Sequence, residues 1–419
     1  MSDAPFRARS DASTTPMAVF VAAVELPAVG DLLQRLRRST ATLQAGGPIE
    51  AMAWCATHGS PEIMLVDISG LAQPLAALLE LAAQAGPACR IVALGDRQDV
   101  DFYRQLLQGG IFDYLLKPPR MDLLADTLQR ADDDRPLGLG GAARSGRTVA
   151  CIGCAGGLGT STLVAALGQA LAHRWQTPTV LVDFDRRKGD LPLLLGLEAD
   201  AGLAALLDAT SIDPRLLQRT LLGTGHDPAS TTGQRLQLLA QRPSVESAID
   251  PERVLELGGA LSQLFSLSLW DLPSHRPSGA DEVLTHAEIR IVLTECSLQG
   301  ARNTQRLLSE IGDESAGQRL LVVTSGARQS GHPVLEHAQL EDFIGRAIDC
   351  HLPQAGPVLA GSLLDGPLVA ATAPAYALAV EQLGLRLLGR TVSATPVSGL
   401  VGRLSRLFAL TRRPAATHA

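Results

Sequence analysis

The run Cys154-Ala155-Gly156-Gly157-Leu158-Gly159-Thr160-Ser161-Thr162 follows the apolar stretch Thr148 to Ile152 and leads into a helical pattern from Ser161 to His173. A buried strand, a glycine-rich turn and a helix in that order make a ready anion site. Backbone N–H groups converge at the turn, and the helix N-terminus adds positive potential. Gly156, Gly157 and Gly159 let the backbone wrap a phosphate with no Cβ in the way. Leu158 lies among them, and Ser161 and Thr162 bring hydroxyls to the helix start. In a Walker-type loop a lysine precedes the hydroxyl that binds Mg²⁺. Here Thr160 stands in that place, and the loop contains no lysine. A glycine turn of this kind also occurs as plain structure, so other phosphate-site signals must decide.

Two such signals follow in order. Val180-Leu181-Val182-Asp183-Phe184-Asp185 ends an apolar strand with two carboxylates. Such groups orient Mg²⁺ or a water, or simply solvate a strand end and cap a helix. Leu267-Ser268-Leu269-Trp270-Asp271-Leu272-Pro273 sets a carboxylate at another strand end. Each alone is weak; at this order and spacing they favour a nucleotide site. Asp271 and Ser161 are then the candidate Mg²⁺ ligands, Asp185 the candidate water-orienting residue, and Asp183 a further lining residue.

The chain has 419 residues, 46% hydrophobic and 19% charged, which suits two globular domains. Aromatics are only 3%, so the core must be aliphatic. A net charge of -7 argues against a general nucleic-acid coat. No apolar run is long enough to span a bilayer, and Met1 to Pro16 lacks an apolar signal core, so a cytoplasmic location is expected. Cys151 and Cys154 form a C-x-x-C, but no second cysteine or histidine pair completes a metal site.

A glycine- and charge-rich linker, residues 131–147, divides the chain. Before it, residues 17–130 alternate strands (Met17 to Val24, Glu62 to Ile68, Arg90 to Leu94) with helices (Asp31 to Arg38, Leu71 to Gln84, Val100 to Gln108, Met121 to Arg130). After it, residues 148–390 repeat the alternation, with strands at Thr148 to Ile152, Thr179 to Val182, Leu236 to Leu239, Leu267 to Trp270, Ile289 to Thr294 and Leu320 to Val323. Both parts predict α/β folds with parallel sheets between helices. In the tail, residues 396–413, Leu400, Val401, Leu404, Leu407 and Phe408 share one helical face beside several arginines. That stripe suits either an anionic membrane surface or packing on its own domain.

On these motifs, residues 148–390 resemble the ParA/MinD superfamily of deviant Walker ATPases, and most of all its pilus-assembly branch, the TadZ/CpaE family. The superfamily loop K-G-G-x-G-K-[ST]-T aligns with Ala155-Gly156-Gly157-Leu158-Gly159-Thr160-Ser161-Thr162. Its D-x-D aligns with Asp183 and Asp185, its G-D with Gly189-Asp190, its L-L-G with Leu194-Leu195-Gly196 and its Walker B aspartate with Asp271. Its late strand end aligns with Leu352-Pro353, which makes Pro353 a nucleotide-side residue. The resemblance implies a P-loop NTPase domain, ATP and Mg²⁺ as ligands, a homodimer, and a place in Tad/Flp pilus assembly at the cytoplasmic side of the inner membrane or at a cell pole. It also implies peripheral membrane contact through the tail.

The departures lie in the loop. The family's signature lysine is Ala155 and its Walker lysine is Thr160. The adenine-side asparagine is replaced by Thr324 or Ser325. Each lost ammonium removes contacts worth about 1–3 kcal/mol, so weak ATP binding and little or no hydrolysis are expected. The first domain resembles a receiver of the flavodoxin-like class. Asp67 stands where a phospho-acceptor belongs, and Asp113-Tyr114-Leu115-Leu116-Lys117-Pro118 matches the receiver close. After the first strand, Ala22-Ala23-Val24-Glu25 offers one carboxylate where a working receiver has two, and Gly95 replaces a Ser/Thr. A pseudo-receiver used for docking or dimerisation is favoured over phosphorylation at Asp67. Two other functions remain open. A septum or partition ATPase predicts the loop lysines, and a phosphorelay regulator predicts the acidic pair.

Overall fold

A computed structural model of the chain describes residues 17–132, 145–224, 235–244, 248–312, 314, 317–328 and 335–389. The tail at 396–413 and most of the linker lie outside the described residues.

The first sheet has five strands: β1 (Met17–Val21), β2 (Thr42–Ala45), β3 (Ile63–Asp67), β4 (Arg90–Gly95) and β5 (Asp113–Leu116). They run parallel in the order β2-β1-β3-β4-β5, the flavodoxin-like order. The helices are α1 (Leu26–Arg35), α2 (Pro48–His58), α3 (Pro74–Ala85), α4 (Val100–Gln108) and α5 (Met121–Asp132). Both faces of the sheet are covered, so consecutive strand residues feed different cores. Ala18 and Phe20 join Trp54 and Leu78 on one side. Met17, Val19 and Val21 join Leu33 and Leu128 on the other.

The first strand stops at Val21, short of the expected Val24, and α1 begins at Leu26, before the expected Asp31. Pro27 in the first helical turn explains the early start, because its fixed φ suits that position. Both β2 and α2 lie between the expected helix and the expected strand at Glu62.

The second sheet has eight strands: β6 (Arg147–Gly153), β7 (Thr179–Asp183), β8 (Leu222–Gly223), β9 (Leu236–Leu239), β10 (Leu267–Leu272), β11 (Ile289–Thr294), β12 (Arg319–Ser325) and β13 (Cys350–Leu352). Their order is β13-β12-β11-β6-β10-β7-β9-β8. All pairs are parallel except β8 with β9 at the edge, a departure from the all-parallel expectation. The alternation recurs here. Val149 and Cys151 face one core with Leu163 and Leu167, while Ala150 and Ile152 face the other with Val182 and Trp270. Helix α6 (Thr160–Gln169) leaves the loop after β6 and buries Leu163 to Gly168. Each fully buried Leu, Val or Ile contributes about 1.5–3 kcal/mol, which is how a core with few aromatics holds.

Arg235 fastens the two sheets together. It is buried just before β9, and its guanidinium donates to the carbonyls of Cys55 and Gln84 in the first domain and of Gln176 in the second. Cys55 and Gln84 lie in the last turns of α2 and α3, where the helix dipole favours a cation. Beside it, Gly86 at φ +80 lets the chain turn against Pro178, with no room for a side chain. No helix among the described residues is long and apolar enough to cross a membrane.

Candidate functional site: a glycine loop over buried carboxylates

In the second sheet the strand order reverses around β6. β6 sits between β10 and β11, so its C-terminal end opens a crevice of the kind that holds ligands in open α/β sheets. The glycine loop lies there. Gly157 and Gly159 adopt φ +77 and +82, which no β-branched or bulky residue accepts readily. Gly153 has its own constraint: a Cβ there would sit 2.8 Å from the Ala155 carbonyl and 3.0 Å from Thr160 Oγ1. The loop therefore folds back over the strand end, and Thr160 lies close against it in the lysine's place.

Leu158 is buried and anchors the loop tip, and its carbonyl accepts a 2.7 Å hydrogen bond from Ser325 Oγ. Ser325 is thereby engaged in holding the loop. Thr324 is engaged too, its Oγ1 lying 2.9 Å from His351 Nδ1. Pro353 follows β13, where the Gly326 N–H donates to the Leu352 carbonyl.

Beneath the loop are the carboxylates. Asp183 and Asp271 pair in register across β7 and β10, and both are buried. Burial pushes Asp271 up to about 7; the neighbouring Ser161 hydroxyl opposes this, and Asp185 and Asp190 add to it. Burial and Asp271 hold Asp183 well above the ordinary range, although the N–H groups of Leu191 and Asp185 donate to it. Gly189 must be glycine, because a Cβ there would lie 2.4 Å from Asp183 Oδ2. Asp185 accepts from the N–H groups of Arg187 and Lys188, so in this state it caps a turn. Thr162 continues the first turn of α6 beside Ser161.

The crevice therefore brings Gly156 to Thr162, Asp183, Asp185 and Asp271 to one end of the sheet, with Pro353 at the end of β13. Ser325, read from the motifs as an adenine-side position, instead pins the loop. Arg328 escapes the motif reading: its Nη1 lies 3.3 Å from the Gly156 carbonyl, and it stands too far along the chain from the loop for a local pattern to mark it.

Cys151 is fully buried and Cys154 half-buried, and burial pushes both thiols up. A thiolate is disfavoured at each, contrary to what C-x-x-C redox chemistry needs.

The first sheet has a second polar site at its own switch point, between β1 and β3. Lys117 Nζ lies 2.8 Å from Asp67 Oδ2 and 2.6 Å from Glu25 Oε2. Asp67 Oδ1 also accepts from the N–H and hydroxyl of Ser69. Burial pushes Asp67 up, but the bonds from Lys117 and Ser69 outweigh it and leave the carboxyl below its ordinary value. Over Gly95, Tyr114 fills the space: a Cβ there would meet its hydroxyl at 2.6 Å. That hydroxyl bonds both the N–H and the carbonyl of Arg97. Asp113 turns away, paired with Arg130 and Thr127 of α5.

Comparison with known proteins gives a consistent picture. No family model matches the chain. It is 28% identical over 175 residues to the septum site-determining protein MinD of Synechocystis, a match over 40% of this chain. The match spans 60% of the relative's length. Among solved structures, a ParA family ATPase from Chlorobium tepidum covers 58% of this chain and 99% of its own, at 24% identity and a TM-score of 0.48. A protein from Sinorhizobium meliloti named as a putative CpaE2 pilus assembly protein covers 27% of this chain and 98% of its own, at 31% identity and a TM-score of 0.24. The chain is thus similar to MinD over part of its length, and its second sheet is a largely parallel α/β sheet in which β6 leads through a glycine loop into α6.

Proposed function

We propose that the chain is a localisation factor for Tad/Flp pilus assembly of the TadZ/CpaE type. Its second domain binds ATP and Mg²⁺ weakly, turns over little or none, and forms a homodimer. Its first domain docks components of the secretion machinery at the cytoplasmic side of the membrane. The observation that carries this reading is the buried Asp271 carboxylate, in register with Asp183 at the strand ends, beneath a glycine loop that has no ammonium group.

The residues fit Mg²⁺. Hard oxygen donors, the Ser161 hydroxyl and the Asp271 carboxylate, stand together at the helix start. Among the described residues no group of three or more His, Cys, Asp or Glu is arranged to hold a metal alone. Mg²⁺ takes one or two protein ligands and completes its shell with phosphate and water. The ion would neutralise phosphate charge. The loop N–H groups would hold the phosphates, Asp183 would buttress the Asp271 strand, and Asp185 would orient a water in any residual hydrolysis. Without lysine, charge developing on a transferred phosphoryl group lacks its closest partner, so retention outlasts turnover.

A receiver-topology sheet ahead of this domain supports the pilus reading, with Lys117 closed onto Asp67. A second reading, a MinD/ParA positioning ATPase, draws on the MinD similarity but predicts brisk turnover. Sedimentation velocity with and without ATP and Mg²⁺ tests the proposal. A nucleotide-dependent dimer lost in Asp271→Ala is expected; a monomer in every condition contradicts it.

A further inference from the structure

Arg328 lies against the loop that has lost its lysines. It ends the turn Ser325-Gly326-Ala327-Arg328 that follows β12, and this turn is tied to the loop at two points. Ser325 Oγ donates to the Leu158 carbonyl at 2.7 Å, and Arg328 Nη1 donates to the Gly156 carbonyl at 3.3 Å. Arg328 Cδ lies 3.7 Å from where a Cβ on Gly157 would stand, so the side-chain stem passes over the loop. Its ion-pair partner among the described residues is Glu295, at 4.0 Å, beyond hydrogen-bond reach. The side chain is 41% exposed. A guanidinium has five N–H donors, and one long bond to a neutral carbonyl uses few of them.

Composition points the same way. Only two of the 36 basic residues are lysine, Lys117 and Lys188. Lys117 is committed to Asp67 and Glu25 in the other domain. Lys188 lies in the turn after β7 beside Asp185, and among the described residues Arg328 is a basic side chain in contact with the loop backbone itself.

We infer that Arg328 supplies to the phosphates of a bound nucleotide the positive charge that Ala155 and Thr160 no longer provide. This rests on the nucleotide reading of the loop. The exchange is favourable on elementary grounds: a weak bond to a carbonyl gives way to charge-assisted, bidentate bonds to phosphate oxygens. Arginine matches that planar geometry better than lysine does, and it reaches the loop from β12 rather than from within it.

The test uses the purified full chain, a fluorescent ATP analogue with Mg²⁺, and inorganic tripolyphosphate as competitor. Arg328→Ala should weaken analogue binding by about tenfold, and tripolyphosphate competition by a similar factor. Arg328→Lys should recover part of both. Thermal melting of the three proteins should agree, because the side chain is exposed. Wild-type binding with an unchanged Arg328→Ala variant overturns the inference and leaves the nucleotide reading standing. So does a variant that loses analogue affinity but keeps tripolyphosphate competition, since Arg328 would then act on the base. A wild-type protein that binds neither probe removes the nucleotide reading and the inference together.

Discussion

The two domains place carboxylates at equivalent points, the switch point of a parallel sheet, and treat them in opposite ways. In the first domain Asp67 and Glu25 share one lysine that pairs with both, and Asp67 is held below its ordinary pKa. In the second, Asp183 and Asp271 are buried, no cation among the described residues is bonded to either, and both are pushed up. The first site is closed on itself by its own chain. The second has carboxylates that only an external cation can satisfy once they ionise. A self-paired site suits a fixed docking surface. An under-neutralised one suits a site that answers to Mg²⁺ and nucleotide.

The largest effect should come from separating the two regions. Arg235→Ala leaves three carbonyls, that of Cys55 buried and those of Gln84 and Gln176 half-buried, without their donor and should cost about 3 kcal/mol, with melting resolving into two transitions by calorimetry. A single unshifted transition would show that the domains do not depend on this residue. Next is Lys117→Met, which leaves Asp67 and Glu25 facing each other. A loss of about 2 kcal/mol in urea unfolding is expected at neutral pH, shrinking at acid pH as Asp67 protonates. Asp271→Asn should do the reverse, since it removes a buried charge: about 1–2 kcal/mol of added stability near pH 8 without ligand. If both substitutions shift stability in the same direction, the contrast between the sites is wrong.

The smallest effect is in the pH profile of the unliganded protein. The folded pKa of Asp271 is raised to about 7. Between about pH 4 and pH 7 the folded state holds a proton that the unfolded state has released, so this group's contribution falls as pH rises through that window. Asp67 acts in the opposite sense: its contribution is present above the unfolded pKa and is lost as pH falls through its lowered value. Unfolding at about pH 8 should therefore be easier than at about pH 5.5, by roughly 1 kcal/mol, and Mg²⁺ with ATP should restore the difference. A profile flat across this range, with or without ligand, would count against a raised Asp271.

Much of this was legible before any coordinates. The strands Leu236–Leu239 and Ile289–Thr294 begin and end where their apolar runs do, because both are buried in the sheet. β2 was not legible: it is an edge strand whose residues alternate between half-buried and exposed, so Thr42–Ala45 carries too little apolar signal. α2 was hidden behind Gly46-Gly47-Pro48, which reads as a turn although Pro48 opens the helix. β8 has two residues and no pattern to read. In the candidate site, the glycines and aspartates announce themselves through local spacing. Arg328 does not, because 172 residues separate it from Gly156 and only the order of strands in the sheet brings them together.

The central claim is that the second domain holds Mg²⁺ and ATP without consuming it, and one sample tests both halves. ATP binding by calorimetry and phosphate release should be measured on the same purified protein with Mg²⁺. The expected result is weak, saturable, Mg²⁺-dependent binding with phosphate release at background. Robust phosphate release that disappears in Asp271→Ala would contradict the account, because the glycine loop would then be catalysing without either of its lysines.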